Sequence, residues 1–264
     1  MPCTSEIDSR FQAALKIIKD ASKLAIKMQP APGKPVAELK GHQNYVTAAD
    51  KAVETFLVEH LSDLFPNDSF LGEEYGETTV GLFRWIIDPI DGTSNYARGR
   101  KRWCISVGLM HGETPVAGII EAPLLNETFT ARLGQGAFLN DKKIHAATTD
   151  NIRESMVEIG WSPYVPKGWY PEKMNSLIEQ GSMPRSLGSG ALALADVACG
   201  RSDGYYEYVI FLWDVAAALV ILHEAGAYVS PFLKNGGLTQ RTPIFASAPL
   251  IVNPLSKALG VPLN

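Results

Sequence analysis

Cysteine is scarce in this chain of 264 residues: Cys3, Cys104 and Cys199 stand far apart and form no CxxC pair. That excludes a disulfide framework and a cysteine-ligated zinc site, and it points to a reducing, cytoplasmic compartment. Long apolar runs are also missing. The longest, residues 215–222, is far short of the ~20 needed to cross a bilayer. The opening stretch MPCTSEIDSRF is acidic and polar where a secretion signal needs a basic start and an apolar core. A soluble chain without a membrane partner is expected. Nor is positive charge in excess, since 24 Lys and Arg against 28 Asp and Glu leave a net charge of −4, so no nucleic-acid partner is expected. The five histidines His42, His60, His111, His145 and His223 lack metal-ligand spacing, and the GxxxxGK[ST] and GxSxG motifs do not occur. With 46% hydrophobic and 20% charged residues the chain can build a substantial core.

Apolar residues Phe11, Ala14, Leu15, Ile18, Ala21 and Leu24 recur at helical steps, and Pro30, Pro32 and Gly33 close that segment. A second helix starts at Thr47, where Asp50 three positions on completes a capping box with Asp in place of Glu. Its predicted apolar face is Val53, Phe56, Leu57, His60, Leu61 and Leu64. From Trp85 the texture becomes β-prone: runs at 85–88, 104–110, 116–122 and 127–132 are separated by turn-like HGET, PLLN and LGQG, which predicts an antiparallel meander. After about residue 150, strand-like 157–160 and 204–207 alternate with helical 171–179, 191–199 and 215–224, an α/β pattern. No repeat or linker divides the chain, so residues 1–264 read as one unit of two layered halves, 1–150 and 151–264.

The most informative segment is Asp88-Pro89-Ile90-Asp91-Gly92-Thr93, directly after an apolar strand. Two carboxylates three positions apart, with proline between them, can converge at the strand's end while the Ile90 carbonyl is turned outward. That makes three hard oxygen ligands. Gly92 and Thr93 stand where a turn or helix begins, so their N–H groups can hold a phosphate while the Thr93 hydroxyl faces the same space. The same letters also make an ordinary turn. Gly72-Glu73-Glu74 puts paired acids at another strand end or in a solvated loop. Asp214 precedes an apolar helix, where it reads as an N-cap, as a carboxylate facing a cation, or as both. If Glu73, Asp88, Asp91 and Asp214 converge, they need a counter-charge. Oxygen-only ligands favour Mg²⁺, with Mn²⁺ as a substitute, and two bridged ions are the arrangement used for phosphate ester hydrolysis.

Together these segments resemble the inositol monophosphatase family of lithium-sensitive, magnesium-dependent phosphatases. The landmarks are Val46-Thr47-Ala48-Ala49-Asp50, Gly72-Glu73-Glu74, Trp85 through Tyr96, Trp213-Asp214-Val215-Ala216-Ala217-Ala218 and Glu224-Ala225-Gly226. The resemblance implies a layered αβαβα sandwich of the inositol monophosphatase and fructose-1,6-bisphosphatase type, combining α+β and α/β halves, and a homodimer. It also implies that Glu73, Asp88 and the Ile90 carbonyl hold one metal, and that Asp88, Asp91 and Asp214 hold a second. Glu73 and Thr93 would position the attacking water, with Asp50 accepting a hydrogen bond from the Thr93 hydroxyl. Phosphate would lie over the Gly92 and Thr93 amides, against Asp91 and Asp214. The substrate's hydroxyls would meet Glu207, with Gly188, Ser189 and Gly190 lining the same pocket, Ser162 touching the substrate and Lys40 assisting a third, loosely held ion. Gly190 replaces the family's usual Ala, and Ala193 stands where bacterial relatives often carry Asp. The implied activity is hydrolysis of a small phosphorylated metabolite. The first candidate is myo-inositol monophosphate, followed by histidinol phosphate and then fructose bisphosphate or a 3′-phosphonucleotide. A protein of the same fold that only binds is a remote alternative.

Overall fold

The computed structural model describes residues 4–33, 38–41, 44–78 and 81–263, without the side chains of 38–41 and 44–46. The chain opens with α1 (Thr4–Met28), a small hairpin of β1 (Glu38–Gly41) and β2 (Asn44–Val46), and α2 (Ala48–Leu64). Then come β3 (Ser69–Gly72), β4 (Gly76–Glu77), β5 (Phe83–Asp91), the single turn α3 (Thr93–Tyr96), β6 (Cys104–His111), β7 (Thr114–Ala122), β8 (Glu127–Arg132), β9 (Ala137–Leu139) and β10 (Lys142–Ile144). The second half carries β11 (Met156–Ile159), α4 (Trp169–Glu179), β12 (Met183–Arg185), α5 (Gly190–Ala198), β13 (Gly204–Ile210), α6 (Leu212–Glu224), β14 (Tyr228–Val229), β15 (Thr242–Ser247) and α7 (Val252–Leu259).

Strands β5 to β10 form the antiparallel meander that the alternating runs and turns predict, and β3 extends it in parallel beside β5. The eight-stranded sheet has the order β10-β9-β8-β7-β6-β5-β3-β4, and the five-stranded sheet the order β12-β11-β13-β15-β14. Period-2 alternation divides the residues of the large sheet between two cores. Trp85, Ile87, Ile105 and Val107 pack with α1 and α2, whereas Ile86, Met110, Ile120 and Phe129 pack with α5 and α6. The smaller sheet turns Tyr205, Ile244 and Ala246 toward α5 and α6, and Val157, Tyr206 and Phe245 toward α4 and α7. The result is the αβαβα sandwich.

Helix α1 buries Phe11, Ala14, Ile18 and Ala21 of the predicted stripe, together with Ser22 and Ala25, while the predicted Leu15 and Leu24 are half-buried. Helix α2 departs from its predicted face. Val53, Leu57 and Leu61 are buried, but Leu64 is 58% exposed and His60 is exposed, stacked on Phe56. The inward stripe carries Asp50 and Glu54 as well, so apolar periodicity alone misplaces it by part of a turn.

Candidate active site

The site forms at the end of β5. In a regular strand, residues three apart face opposite sides of the sheet. Here Asp88 pairs with Ser106 and Asp91 with Cys104, so β5 holds one residue more than β6 over that stretch. This bulge restores parity and brings both aspartates to one side. Asp88 is steadied by the Ile90 N–H, donated at 3.0 Å.

Asp91 meets the start of α5. Its carboxylate accepts the N–H groups of Gly190 at 3.1 Å and Ala191 at 2.9 Å, and the Ser189 hydroxyl. The positive end of the helix dipole and three donors thus hold this charge in place. Ser189 also caps α5, its oxygen accepting the Leu192 N–H at 3.4 Å. Asp214 is not the N-cap that the sequence suggests. Helix α6 begins earlier, at Leu212 with Phe211 as its cap, and Asp214 sits in the first turn, reaching back to accept the Phe211 N–H at 2.9 Å. Phe211 and Trp213 stack at 4.5 Å, and the carboxylate is the returning half of a capping box.

Carboxylate oxygens of Asp88, Asp91 and Asp214 come within 4.8 Å of one another. Burial pushes all three acids above the ordinary carboxylate range; neighbouring acids reinforce it at Asp88 and Asp214, whereas the donors around Asp91 oppose it. After burial, Asp88 responds to Glu73, Asp91, Asp214 and Asp50 in turn, all of them negative. Glu73, in the turn after β3, is outside the tight cluster but is the strongest of these acidic influences, and its N–H donates to Ile87 O at 3.3 Å. An oxygen-only, mutually repelling donor set of this kind fits a hard divalent cation.

Thr93 opens α3 behind Gly92, whose φ of 88° is a left-handed conformation suited to glycine. The Thr93 hydroxyl lies 2.9 Å from the Ile90 carbonyl and 3.4 Å from Asp50 Oδ1. Asp50, 1% exposed, is fixed by the Thr47 N–H at 2.8 Å and the Thr47 hydroxyl at 2.6 Å. The capping box read from the sequence therefore also orients a site residue.

A cavity of about 320 Å³ adjoins Asp91 and Asp214 and is lined by Gly188, Ser189, Gly190, Glu207 and Ser162 among others. Among the described residues the buried Ser162 hydroxyl has no hydrogen-bond partner, which leaves it available to a ligand. Lys40 stands in β1, where side chains lie outside the described residues. Sequence reasoning missed Tyr205, whose hydroxyl donates to Glu207, and Glu158, which pairs with Arg102 at 3.0 Å on the cavity wall. Tyr205 was within reach, because it shares a strand face with Glu207 two residues on. Burial raises both Glu158 and Glu207 to about 7.

Comparison with known proteins identifies relatives of the chain and of its fold. A Nus factor SuhB of Xylella fastidiosa is 40% identical over 195 residues, 73% of this chain and 71% of that protein. An inositol monophosphatase of Dictyostelium discoideum is 33% identical over 266 residues and 96% of each chain. The solved inositol monophosphatase of Anabaena superposes with a TM-score of 0.84 at 32% identity, covering 97% of this chain and 96% of that one. The profile of the inositol monophosphatase family matches residues 6–258, and the chain belongs to that family of phosphomonoester hydrolases.

Proposed function

We propose that the chain is a Mg²⁺-dependent phosphatase of small polyol monophosphates, myo-inositol monophosphate first among them, working in the cytoplasm as a homodimer. The observation that carries this reading is the set of carboxylates of the buried Asp88 and Asp91 and the half-buried Asp214, whose mutual repulsion calls for divalent cations. Glu73, Asp88 and the Ile90 carbonyl would hold one ion and Asp88, Asp91 and Asp214 a second, and a third, loosely held, would bring the count to three; Mn²⁺ would substitute. Bound there, such ions neutralise phosphate charge and lower the pKa of water.

The chain's own groups do the rest. Thr93, held by Asp50, and Glu73 orient a water toward phosphorus in line with the leaving oxygen. The Gly92 and Thr93 amides face the phosphate oxygens. The alcohol lies in the cavity, where Glu207, the Gly188-Ser189-Gly190 wall and Ser162 accept or donate hydrogen bonds to its hydroxyls. Tyr205 occupies one side of Glu207, which limits how many substrate hydroxyls that carboxylate can accept.

Phosphate release is to be measured with Mg²⁺ on myo-inositol 1-phosphate, histidinol phosphate, fructose 1,6-bisphosphate and 3′-phosphoadenosine 5′-phosphate, with and without lithium. The expected result is preferential, lithium-inhibited hydrolysis of the inositol ester. Preference for another ester reassigns the alcohol. No metal-dependent release from any of them removes these four alcohols, and the absence of Mg²⁺ binding as well removes the enzymatic reading in favour of a binding protein. Light scattering at micromolar concentration checks the dimer, and a monomer mass removes it.

A further inference from the structure

One buried acid has no part in the steps derived for hydrolysis. Glu54, on α2, is 1% exposed. Its carboxylate accepts the backbone N–H groups of Glu74 at 2.9 Å and Tyr75 at 3.0 Å. These are consecutive amides of the turn that begins at Glu73 and joins β3 to β4. The residue before that turn is Gly72, and a Cβ there would lie 2.0 Å from Glu54 Oε1. A side chain is thus missing at the place where the carboxylate enters. Burying an ionisable side chain is unfavourable unless its bonds are satisfied, and these two amides supply that satisfaction.

Four residues earlier on the same helix, Asp50 lies 3.4 Å from the Thr93 hydroxyl. Positions four apart share one helical face. We propose that Glu54 is a positioning residue for the hydrolytic site: it clamps the turn that carries Glu73 and, with Asp50, makes α2 the one rigid element that sets Glu73 and Thr93 in register. This rests on the hydrolytic roles proposed for those two residues. A carboxylate is needed because two adjacent N–H groups must both be accepted. Glutamine offers one acceptor oxygen and points a donor at the second amide.

The test is Glu54→Gln in the full-length protein, read in three ways. Turnover on the preferred ester is expected to fall at least ~10-fold with KM within ~2-fold, since a displaced group costs chemistry more than binding. Exchange of the Glu74 and Tyr75 amides, followed by NMR, is expected to quicken at least ~10-fold while the remaining protected amides are unchanged. Mn²⁺ affinity, measured by electron paramagnetic resonance, is expected to weaken at least ~3-fold because the turn carries Glu73.

Gly72→Ala is the second variant; it displaces the carboxylate without removing its charge and is expected to give the same three changes. It carries the test if Glu54→Gln does not fold. Thr55→Val, which removes the 3.1 Å bond between Thr55 and the Tyr75 hydroxyl, is expected to keep full turnover. Unchanged turnover with either slow or fast turn exchange overturns the proposal. So does a general rise in exchange across the protein, which marks a merely structural role. Should the wild-type chain hydrolyse none of the esters, amide exchange and Mn²⁺ affinity still decide for or against the clamp, and only the phosphatase reading falls.

Discussion

Asp88 and Asp91 show how neighbouring carboxylates can respond differently to the same substitution. Asp91 is surrounded by donors from the start of α5, whereas Asp88 receives the Ile90 N–H on Oδ1 and otherwise responds to negative neighbours. Asparagine at 88 keeps an acceptor for Ile90 and removes the repelled charge. Asp88→Asn is therefore expected to stabilise the metal-free protein and raise its Tm, while Mg²⁺-dependent phosphate release is lost. Asp91→Asn has the opposite stability outcome, because its amide turns a donor toward the N–H groups of α5, a cost of about 1–3 kcal/mol that exceeds the charge relief. Differential scanning calorimetry with chelator present, alongside phosphate release, separates the two; a lower Tm for Asp88→Asn contradicts this account. Gly160 offers a test of the alcohol side. A Cβ there would lie 2.3 Å from Glu207 Oε2 and 2.5 Å from the Tyr205 hydroxyl, so Gly160→Ala must displace Glu207. Steady-state kinetics are expected to show KM rising ~10-fold with a smaller change in kcat, the pattern of lost substrate binding.

At the scale of elements, the N-terminus of α2 couples stability to function. Thr47→Ala removes the hydroxyl that caps Ala49 and holds Asp50, and should cost about 1 kcal/mol. A lower urea midpoint at unchanged slope would measure that loss, and a drop in kcat would report the loosening of Asp50 behind Thr93. This element was legible beforehand, because a capping box is a local pattern with a fixed spacing. The meander was equally legible from alternation and turn residues, as was the gathering of Asp88, Asp91 and Asp214, which the DPIDGT and WD segments announced. What escaped depends on tertiary context. The β5 bulge that aligns Asp88 with Asp91 exists only opposite β6. The true start of α6 follows from the stacked Phe211 and Trp213, which moves Asp214 from the cap into the first turn. Helix α2 was rotated in the reading because Glu54 looks like a solvent residue until the turn at 73–75 is placed over it.

Over the whole molecule, buried acids make the metal-free fold sensitive to alkali. Glu158 and Glu207 have folded values near 7 against an ordinary 4.5. Below about pH 4.5 both states of each group are protonated and neither costs stability. Between about 4.5 and 7 the unfolded chain releases these protons while the folded chain retains them, so unfolding gains ground as pH rises. Above about 7 the loss is complete and constant. Asp88, Asp91 and Asp214 are raised too, so their contributions share this sign. The metal-free protein is therefore expected to lose Tm steadily from pH 5.5 to 7.5. Glu207→Gln, which removes one of these groups, should flatten the slope. Mg²⁺ acts in the opposite direction, stabilising the state that binds it by RT ln(1 + [Mg²⁺]/Kd), and its effect should grow with pH as protons cease to compete for the aspartates. Thermal scans at pH 5.5, 6.5, 7.5 and 8.5, each with chelator or with millimolar Mg²⁺, test both halves together. The two curves should diverge as pH rises; parallel curves would mean that the acids gathered at the end of β5 bind no cation that their protonation opposes.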